Sequence, residues 1–169
     1  QPSALEFMER SAIELAQHFT SDHSLELQPE TEAHLLIEVD AFRFDDLMPQ
    51  VDRILPVIER FGGGDPLFAD DEASKNALWH LRRTVGEAVK AKSVYKEEDT
   101  VVPRGTLPKL LQAVKEIGNE FGFESVCYGH AGDGNLHVNI LKQEITDERW
   151  NRELPEAIRK LFQHVIQLG

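Results

Sequence analysis

Gly129–Leu141 reads GHAGDGNLHVNIL, and this stretch decides how the rest of the chain is interpreted. Its first half is a run of glycines and short polar residues, which is typical of a tight turn. Ser125–Tyr128 and Leu136–Leu141 have the apolar character of strands on either side of that turn. We therefore predict a hairpin-like return that brings His137 back near His130.

Side chains alternate between the two faces of the strand that follows the turn. The alternation predicts that three apolar residues point into a core: Leu136, Val138 and Ile140. It places three others on the opposite face: His137, Asn139 and Leu141. The second imidazole is therefore expected on the same face as the amide of Asn139.

Outside this hairpin, apolar residues recur at helical spacing through much of the chain. The spacing predicts helices over Leu5–Ala16 with a Ser3–Glu6 capping box, over Asp45–Phe61, over Ser74–Lys92, after Thr106, and from Pro155 onward. A central strand is predicted within residues 31–44 and a short strand at residues 66–69, and residues 94–103 are predicted to form an extended segment or edge strand. We expect an α+β fold with a mostly antiparallel sheet and helices packed on one side.

The composition limits the kind of protein and the partners it can have. The 169 residues suffice for one ordinary domain or two small subdomains, and the net charge of −12 disfavours nucleic acid as a partner. No run of 18 or more apolar residues is present, which argues against a membrane-spanning helix. Cys127 is the only cysteine, so an internal disulfide is impossible.

The two histidines permit metal chemistry without requiring it. Imidazole nitrogens bind divalent zinc, manganese or iron, but two histidines alone rarely complete a site, and a carboxylate is the expected third ligand. Gly132 and Gly134 can adopt positive φ and let a substrate or a flavin approach the backbone, and Asn135 can bond turn amides or an imidazole. A hairpin turn with two structural histidines explains the same residues.

Longer segments carry a resemblance to a known family. GHAGDGNLHVNIL, ALEFMER from Ala4, the LWHLR segment Leu78–Arg82 and EEDTVVPRGTLPKLL from Glu97 resemble the C-terminal domain of FAD-linked oxidases of the vanillyl-alcohol oxidase type. The branch that resembles them more closely contains D-lactate dehydrogenases, D-2-hydroxyglutarate dehydrogenases and the glycolate oxidase FAD subunit. The resemblance covers nearly the whole chain and adds a ferredoxin-like character to the expected fold.

The resemblance implies a cap over the substrate of a flavoenzyme that oxidises a small 2-hydroxy acid by hydride transfer to FAD. It implies that His130 and His137 bind a divalent metal and that three residues contact substrate: Arg82, Asn139 and Lys96. It implies flavin contacts for Gly132, Gly134 and Asn135. On the residues alone, an exposed helix arginine is the favoured interpretation of Arg82. Gly86 stands where the hydroxyglutarate branch has a hydroxyl residue, which favours a substrate of the D-lactate or glycolate type.

The same resemblance implies what residues 1–169 do not contain. No glycine-rich pyrophosphate loop is visible, so FAD is expected mainly on a separate domain of the parent chain. In the family, a segment like GGTISGEHGIG, with the third metal ligand and a histidine base, follows the last helix. We therefore expect a fragment that is inactive alone, from a cytoplasmic enzyme or one peripheral to the inner membrane. An iron–sulfur protein or a quinone, rather than a nicotinamide, is the implied electron acceptor.

Three other interpretations remain open on the sequence. Related oxidases lack a metal, and in them the two histidines would bind substrate directly. A ferredoxin-like ligand-binding or regulatory module would have no redox role. A stand-alone metallohydrolase would need a third ligand from this chain, for which Glu97, Glu98 and Asp99 are the candidates.

Overall fold

One antiparallel sheet organises the domain. The computed structural model describes residues 2–23 and 25–169, and these contain five strands. The strands are β1 (Ala4–Glu9), β2 (Ala33–Glu38), β3 (Tyr95–Val101), β4 (Glu124–Gly129) and β5 (Asn135–Leu141). Their order across the sheet is β2-β1-β4-β5-β3, and each neighbouring pair is antiparallel. The predicted α+β class and antiparallel sheet are confirmed.

The glycine-rich turn joins β4 to β5 as predicted. Its register places Tyr128 opposite His137, so their side chains lie on the same face of the sheet. A Cβ at Gly129 would lie 2.4 Å from the carbonyl oxygen of Asn135. Only glycine therefore permits the two backbone segments of the hairpin to approach so closely. The hairpin therefore depends on backbone space as well as on turn conformation.

Helices cover both faces of this sheet, whereas the sequence predicted helices on one side. The described residues form α1 (Arg10–Thr20), α2 (Met48–Arg60), α3 (Glu72–Lys92), α4 (Leu107–Phe121) and α5 (Asp147–Leu168). Along β4, Val126 and Tyr128 pack with residues of α1 and α3, while Cys127 between them packs with residues of α4 and α5. Since consecutive strand residues point to opposite faces, the two helix pairs lie on opposite sides of the sheet.

Each face has its own apolar core. On the α4/α5 face the core includes Leu110, Val114, Cys127, Leu136, Val138, Ile140, Trp150, Leu154 and Leu161. On the α1/α3 face it includes Met8, Ala12, Ile13, Ala16, Val85, Val89, Val126, Tyr128 and Leu141. The predicted inward set on β5 is confirmed, because Leu136, Val138 and Ile140 are all at most 6% exposed and belong to one core.

Four local predictions were wrong. Strand β2, predicted to be central, lies at an edge of the sheet and pairs with β1. The run predicted as a helix from Leu5 begins as a strand, and helix α1 starts only at Arg10. Residues 66–69 form no strand. Pro155 lies inside α5, which begins at Asp147 with Thr146 as its N-cap. The other helices and the edge position of β3 agree with the predictions.

Two further features concern the surface. Helix α2 has no buried residue, and several apolar side chains in and around it remain exposed, among them Phe44, Met48, Val57 and Phe61. Within the part of the chain that the structure describes, no helix is both long enough and apolar enough to cross a bilayer.

Candidate active site

A group of polar and aromatic side chains lies on the α1/α3 face of the sheet, at the end that carries the glycine-rich turn. It contains Glu6 from β1, Arg82 from α3, Tyr128 from β4, His130 from the turn and His137 from β5. Because these residues come from five segments, the sheet and one helix are both needed to assemble the group. We call it the imidazole cluster.

The two histidines do converge. Their ring centroids are 5.8 Å apart and the ring planes meet at 76°. The His130 side chain is 49% exposed and that of His137 is 21% exposed, so both remain accessible from solvent. Neither imidazole is therefore sealed within the apolar core.

Glu6 connects two members of the cluster through its two carboxylate oxygens. Nδ1 of His130 lies 2.8 Å from Oε1, and Nε and Nη2 of Arg82 lie 2.9 and 2.8 Å from Oε2. The Glu6 side chain is only 6% exposed. A carboxylate so far from water requires such partners, because an unpaired buried charge is strongly unfavourable.

Arg82 is buried, which answers the question that the sequence left open. It is 7% exposed, and its guanidinium carbon lies 4.9 Å from the centroid of the Tyr128 ring, within the range of a cation–π contact. Tyr128 in turn lies 5.2 Å from the His137 ring, centroid to centroid. Burial and then the negative charge of Glu97 raise the pKa of Tyr128, so its phenol stays protonated at neutral pH.

His137 faces the carboxylates of the edge strand. Its Nδ1 lies 3.3 Å from Oε1 of Glu97 and 3.5 Å from Oδ1 of Asp99. That nitrogen is buried and makes no hydrogen bond of good geometry within the described residues. Both imidazoles therefore direct Nδ1 toward carboxylates, which is the arrangement that outer partners give to metal-bound histidines.

The side-chain amides of Asn135 and Asn139 already donate hydrogen bonds within the domain. Asn139 is 1% exposed and donates from Nδ2 to the carbonyl oxygen of Val126, while its Oδ1 is buried without a hydrogen bond within the described residues. Asn135 donates to Oδ1 of Asp99 at 2.6 Å and to the carbonyl oxygen of Thr100 at 3.2 Å. Asn139 lies on the face of the imidazole cluster, and its unpaired oxygen is the atom that remains for another polar group.

Of the two glycines predicted to contact flavin, one is required by the packing of the turn itself. Gly134 is buried with φ +76°, and a Cβ there would lie 2.0 Å from the carbonyl oxygen of Val102. A Cβ at Gly132 would lie 3.5 Å from the Cβ of Leu5 on β1. The packing of the described residues therefore requires glycine at position 134 but not at position 132, and the flavin contacts of Gly132, Gly134 and Asn135 stay predictions.

Lys96 is not brought to the cluster. Its partner in the sheet is Ile140, whose side chain belongs to the core on the α4/α5 face. Its Nζ instead bonds the carbonyl oxygen of Glu97 and Oε1 of Glu98, each at 2.9 Å. The substrate contact implied for Lys96 therefore stays a prediction without support from its position.

A divalent metal fits the cluster only in part. His130 and His137 have the convergence and the Nδ1 partners expected of two ligands. Among the described residues, however, no group of three histidine, cysteine, aspartate or glutamate side chains is arranged to hold an ion. The metal ligation implied for His130 and His137 therefore stays a prediction.

Sequence reasoning missed Glu6 and Tyr128. Glu6 was interpreted as the acceptor of a capping box because the strand was mistaken for a helix. The signal that was available is an acidic residue within the apolar run ALEFM, since a charge in a central strand needs a partner from elsewhere. Tyr128 directly precedes the GHAGDGNLH motif, and its position beside His137 follows only from the hairpin register.

Comparison with known proteins assigns the class. Residues 1–169 match the family described as FAD linked oxidases, C-terminal domain. The chain is 29% identical to a D-lactate dehydrogenase of Anaerostipes hadrus and 25% identical to glycolate oxidase subunit GlcD of Bacillus subtilis, each over 99% of its length. A D-2-hydroxyglutarate dehydrogenase of Stutzerimonas stutzeri is 37% identical over 50% of the chain.

The chain belongs to the family of FAD-linked oxidase C-terminal domains. It spans about a third of the length of the curated relatives it matches, 36% of the Anaerostipes protein and 35% of the Bacillus protein. The resemblance inferred from the sequence motifs is confirmed. The relatives are therefore about three times as long as residues 1–169.

Proposed function

We propose that this domain caps the substrate site of a flavin-dependent enzyme that oxidises a small 2-hydroxy acid of the D-lactate or glycolate type. The observation that carries the proposal is the imidazole cluster, which places a buried arginine and two accessible histidines on one face of the sheet. Family membership and relatives named for D-lactate and glycolate support the substrate class. The flavin, held mainly by another part of the parent protein, would accept the hydride.

Arg82 is the proposed receptor for the substrate carboxylate. Glu6 engages its Nε and Nη2, which leaves the Nη1 side as the one on which a second carboxylate can bind. A guanidinium can serve two carboxylates because its five N–H donors point in fixed directions. Packing of Arg82 over Tyr128 holds the plane of the guanidinium, so little freedom is lost when substrate binds.

His130 and His137 are the proposed ligands of a divalent metal that engages the substrate hydroxyl and carboxylate. Zinc, manganese or iron suits imidazole, and a third ligand would come from another segment of the parent protein. A second candidate keeps the enzyme and omits the metal, with both histidines binding substrate directly. It is favoured by the finding that the described residues offer no group of three ligands.

The test uses the full-length protein that contains this domain. D-Lactate, glycolate and D-2-hydroxyglutarate are each added anaerobically while the flavin absorbance is followed, and bound metal is measured per protein molecule. We expect bleaching by D-lactate or glycolate. Replacement of both histidines by alanine should abolish metal content, whereas a wild-type enzyme that is active and metal-free would establish the second candidate.

Arg82→Lys gives the test of the carboxylate receptor. It keeps the charge but loses the fork, so KM for the hydroxy acid should rise by about tenfold or more. Arg83→Lys, one residue along the same helix and exposed, is the matched control and should leave KM unchanged. A protein without flavin, or one whose flavin no 2-hydroxy acid reduces, would refute the proposed function.

A further inference from the structure

Glu6 stands out among the buried charges because it serves two residues of the cluster at once. In every other ion pair among the described residues at least one side chain is 39% exposed or more, whereas the side chains of Glu6 and Arg82 are 6% and 9% exposed. An ion pair made only for stability would be complete with Arg82. The other oxygen of Glu6 instead lies 2.8 Å from Nδ1 of His130, which is half exposed and lies at the site.

The contact determines which nitrogen of His130 carries the hydrogen. The Glu6 carboxylate accepts from Arg82 through Oε2, and its Oε1 lies 2.8 Å from Nδ1 of His130, a distance at which a hydrogen on Nδ1 completes a hydrogen bond. The lone pair of the neutral ring is then on Nε2, the nitrogen that Glu6 does not engage. The tautomer and the orientation of the ring are thus set by a residue on another strand.

The same carboxylate restricts Arg82. Both nitrogens on one side of the guanidinium point to Oε2 of Glu6, so the group cannot rotate without losing two contacts. The comparison with His137 shows how specific this is, since the nearest carboxylate oxygens to its Nδ1 are at 3.3 and 3.5 Å without hydrogen-bond geometry. Of the carboxylates near the two imidazoles, Glu6 makes the shortest contact with Nδ1.

We propose that Glu6 is a positioning residue that holds His130 as the Nδ1–H tautomer and fixes Arg82 so that both present their remaining nitrogens to one ligand. The nature of that ligand, a 2-hydroxy acid with or without a metal ion, rests on the proposed function. The positioning itself is a property of this chain. It can therefore be measured without any turnover.

Glu9 provides a matched control for the replacement of Glu6. It lies on the same strand and is 6% exposed against 5% for Glu6, and its carboxylate is also fully engaged. Its partners are different, because it accepts from Lys115 Nζ, the amide of Cys127 and Ser11 Oγ. Glu6→Gln and Glu9→Gln thus remove equally buried charges, one inside the cluster and one outside it.

The experiment compares wild type, Glu6→Gln and Glu9→Gln in the full-length holoenzyme. Long-range ¹H–¹⁵N spectra of histidine-labelled protein report the tautomer, with the His130 signal assigned from a His130→Gln sample. We expect the Nδ1–H pattern in wild type and in Glu9→Gln, and its loss in Glu6→Gln. Since loss of such an outer partner typically costs about 10- to 100-fold in affinity or activity, kcat/KM should fall by that factor only in Glu6→Gln.

The outcomes separate this proposal from the proposed function. Equal spectra and equal kcat/KM in the two glutamine variants would overturn the positioning role. If Glu6→Gln does not fold, an Nε2–H tautomer of His130 in wild type would overturn it alone. A wild type inert toward every 2-hydroxy acid, but with the tautomer change in Glu6→Gln, would support positioning and refute the substrate class.

Discussion

Gly134 illustrates how a single residue can be required by the fold beside a functional site. Its φ of +76° lies in the left-handed region, and a Cβ would lie 2.0 Å from the carbonyl oxygen of Val102, whose own amide bonds to the Gly134 carbonyl. Gly134→Ala should therefore destabilise the domain by more than about 2 kcal/mol. Chemical denaturation followed by circular dichroism measures the loss.

Gly105→Ala is the control for this prediction. Gly105 has open space around its missing Cβ and does not lie in the left-handed region, so the change should alter stability by less than about 1 kcal/mol. If the two alanine variants were equally stable, the close approach of Val102 would not be the reason for glycine at position 134. A role in contacting flavin would then gain weight.

For individual residues, the sequence predicted that His130 and His137 converge, but it did not predict the carboxylate that contacts His130. The motif identifies two imidazoles around a turn, and turn chemistry is local, so their convergence could be inferred. Glu6 lies 124 positions from His130 in the chain, and Arg82 lies 76 positions from Glu6. Nothing local in ALEFM specifies which distant cation will neutralise its carboxylate.

Helix α3, which carries Arg82, depends on its N-cap. Oδ1 of Asp71 accepts from the amide of Ser74 at 2.9 Å, and Oδ2 accepts from its hydroxyl at 2.6 Å. The bond from the Ser74 hydroxyl, followed by that from the amide, lowers the pKa of Asp71 below 3.8. The ionised cap therefore stabilises the folded state above that pH, and the contribution is lost as pH falls through the lowered pKa.

Asp71→Asn tests whether the charge of the N-cap stabilises helix α3. Asparagine still caps but carries no charge, so the variant should be less stable than wild type at neutral pH, and the difference should shrink on acidification. Urea denaturation from neutral pH down to the onset of acid unfolding measures it. Asp70→Asn removes a charge one residue before the cap and should give a smaller, less pH-dependent difference; a constant gap for Asp71→Asn would contradict the argument.

Helices and strands were predicted well where the spacing of their own apolar residues identifies the buried face. Helices α3 and α4 and strands β4 and β5 have regular stripes and follow the predictions closely. Strand β1 was mistaken for a helix because its buried residues include Glu6 and Glu9, whose burial depends on Arg82 and Lys115 in other elements.

Helix α5 was predicted to begin eight residues too late because proline usually marks a helix start. Pro155 lies within it all the same, since Trp150 and Leu154 before the proline are buried with Ala157 and Leu161 after it. That burial and the Thr146 cap offset the roughly 3 kcal/mol that an internal proline costs. The spacing of the four apolar residues was the available signal.

For the whole molecule, Cys127 is a natural reporter of unfolding. It lies in the central strand β4, is fully buried, and burial raises the pKa of its thiol to about 12. Iodoacetamide reacts with thiolates, so we expect no labelling of the native protein by mass spectrometry at mildly alkaline pH. Labelling should appear at the denaturant concentration at which the sheet unfolds.

Asn119→Cys provides the internal control, because position 119 lies exposed on helix α4. In that variant one equivalent of label should be incorporated at once and the second only on unfolding. Rapid double labelling in the absence of denaturant would mean that the sheet opens locally at β4, contrary to a single cooperative domain.

The position of β1 between β2 and β4 also orders events during synthesis. Strands β1 and β2 can pair as soon as both have left the ribosome, but the other edge of β1 has no neighbour until β4 emerges. At ordinary elongation rates that delay is on the order of ten seconds. During this time the edge is open to chaperones. The imidazole cluster therefore cannot close until β4 and β5 have both emerged.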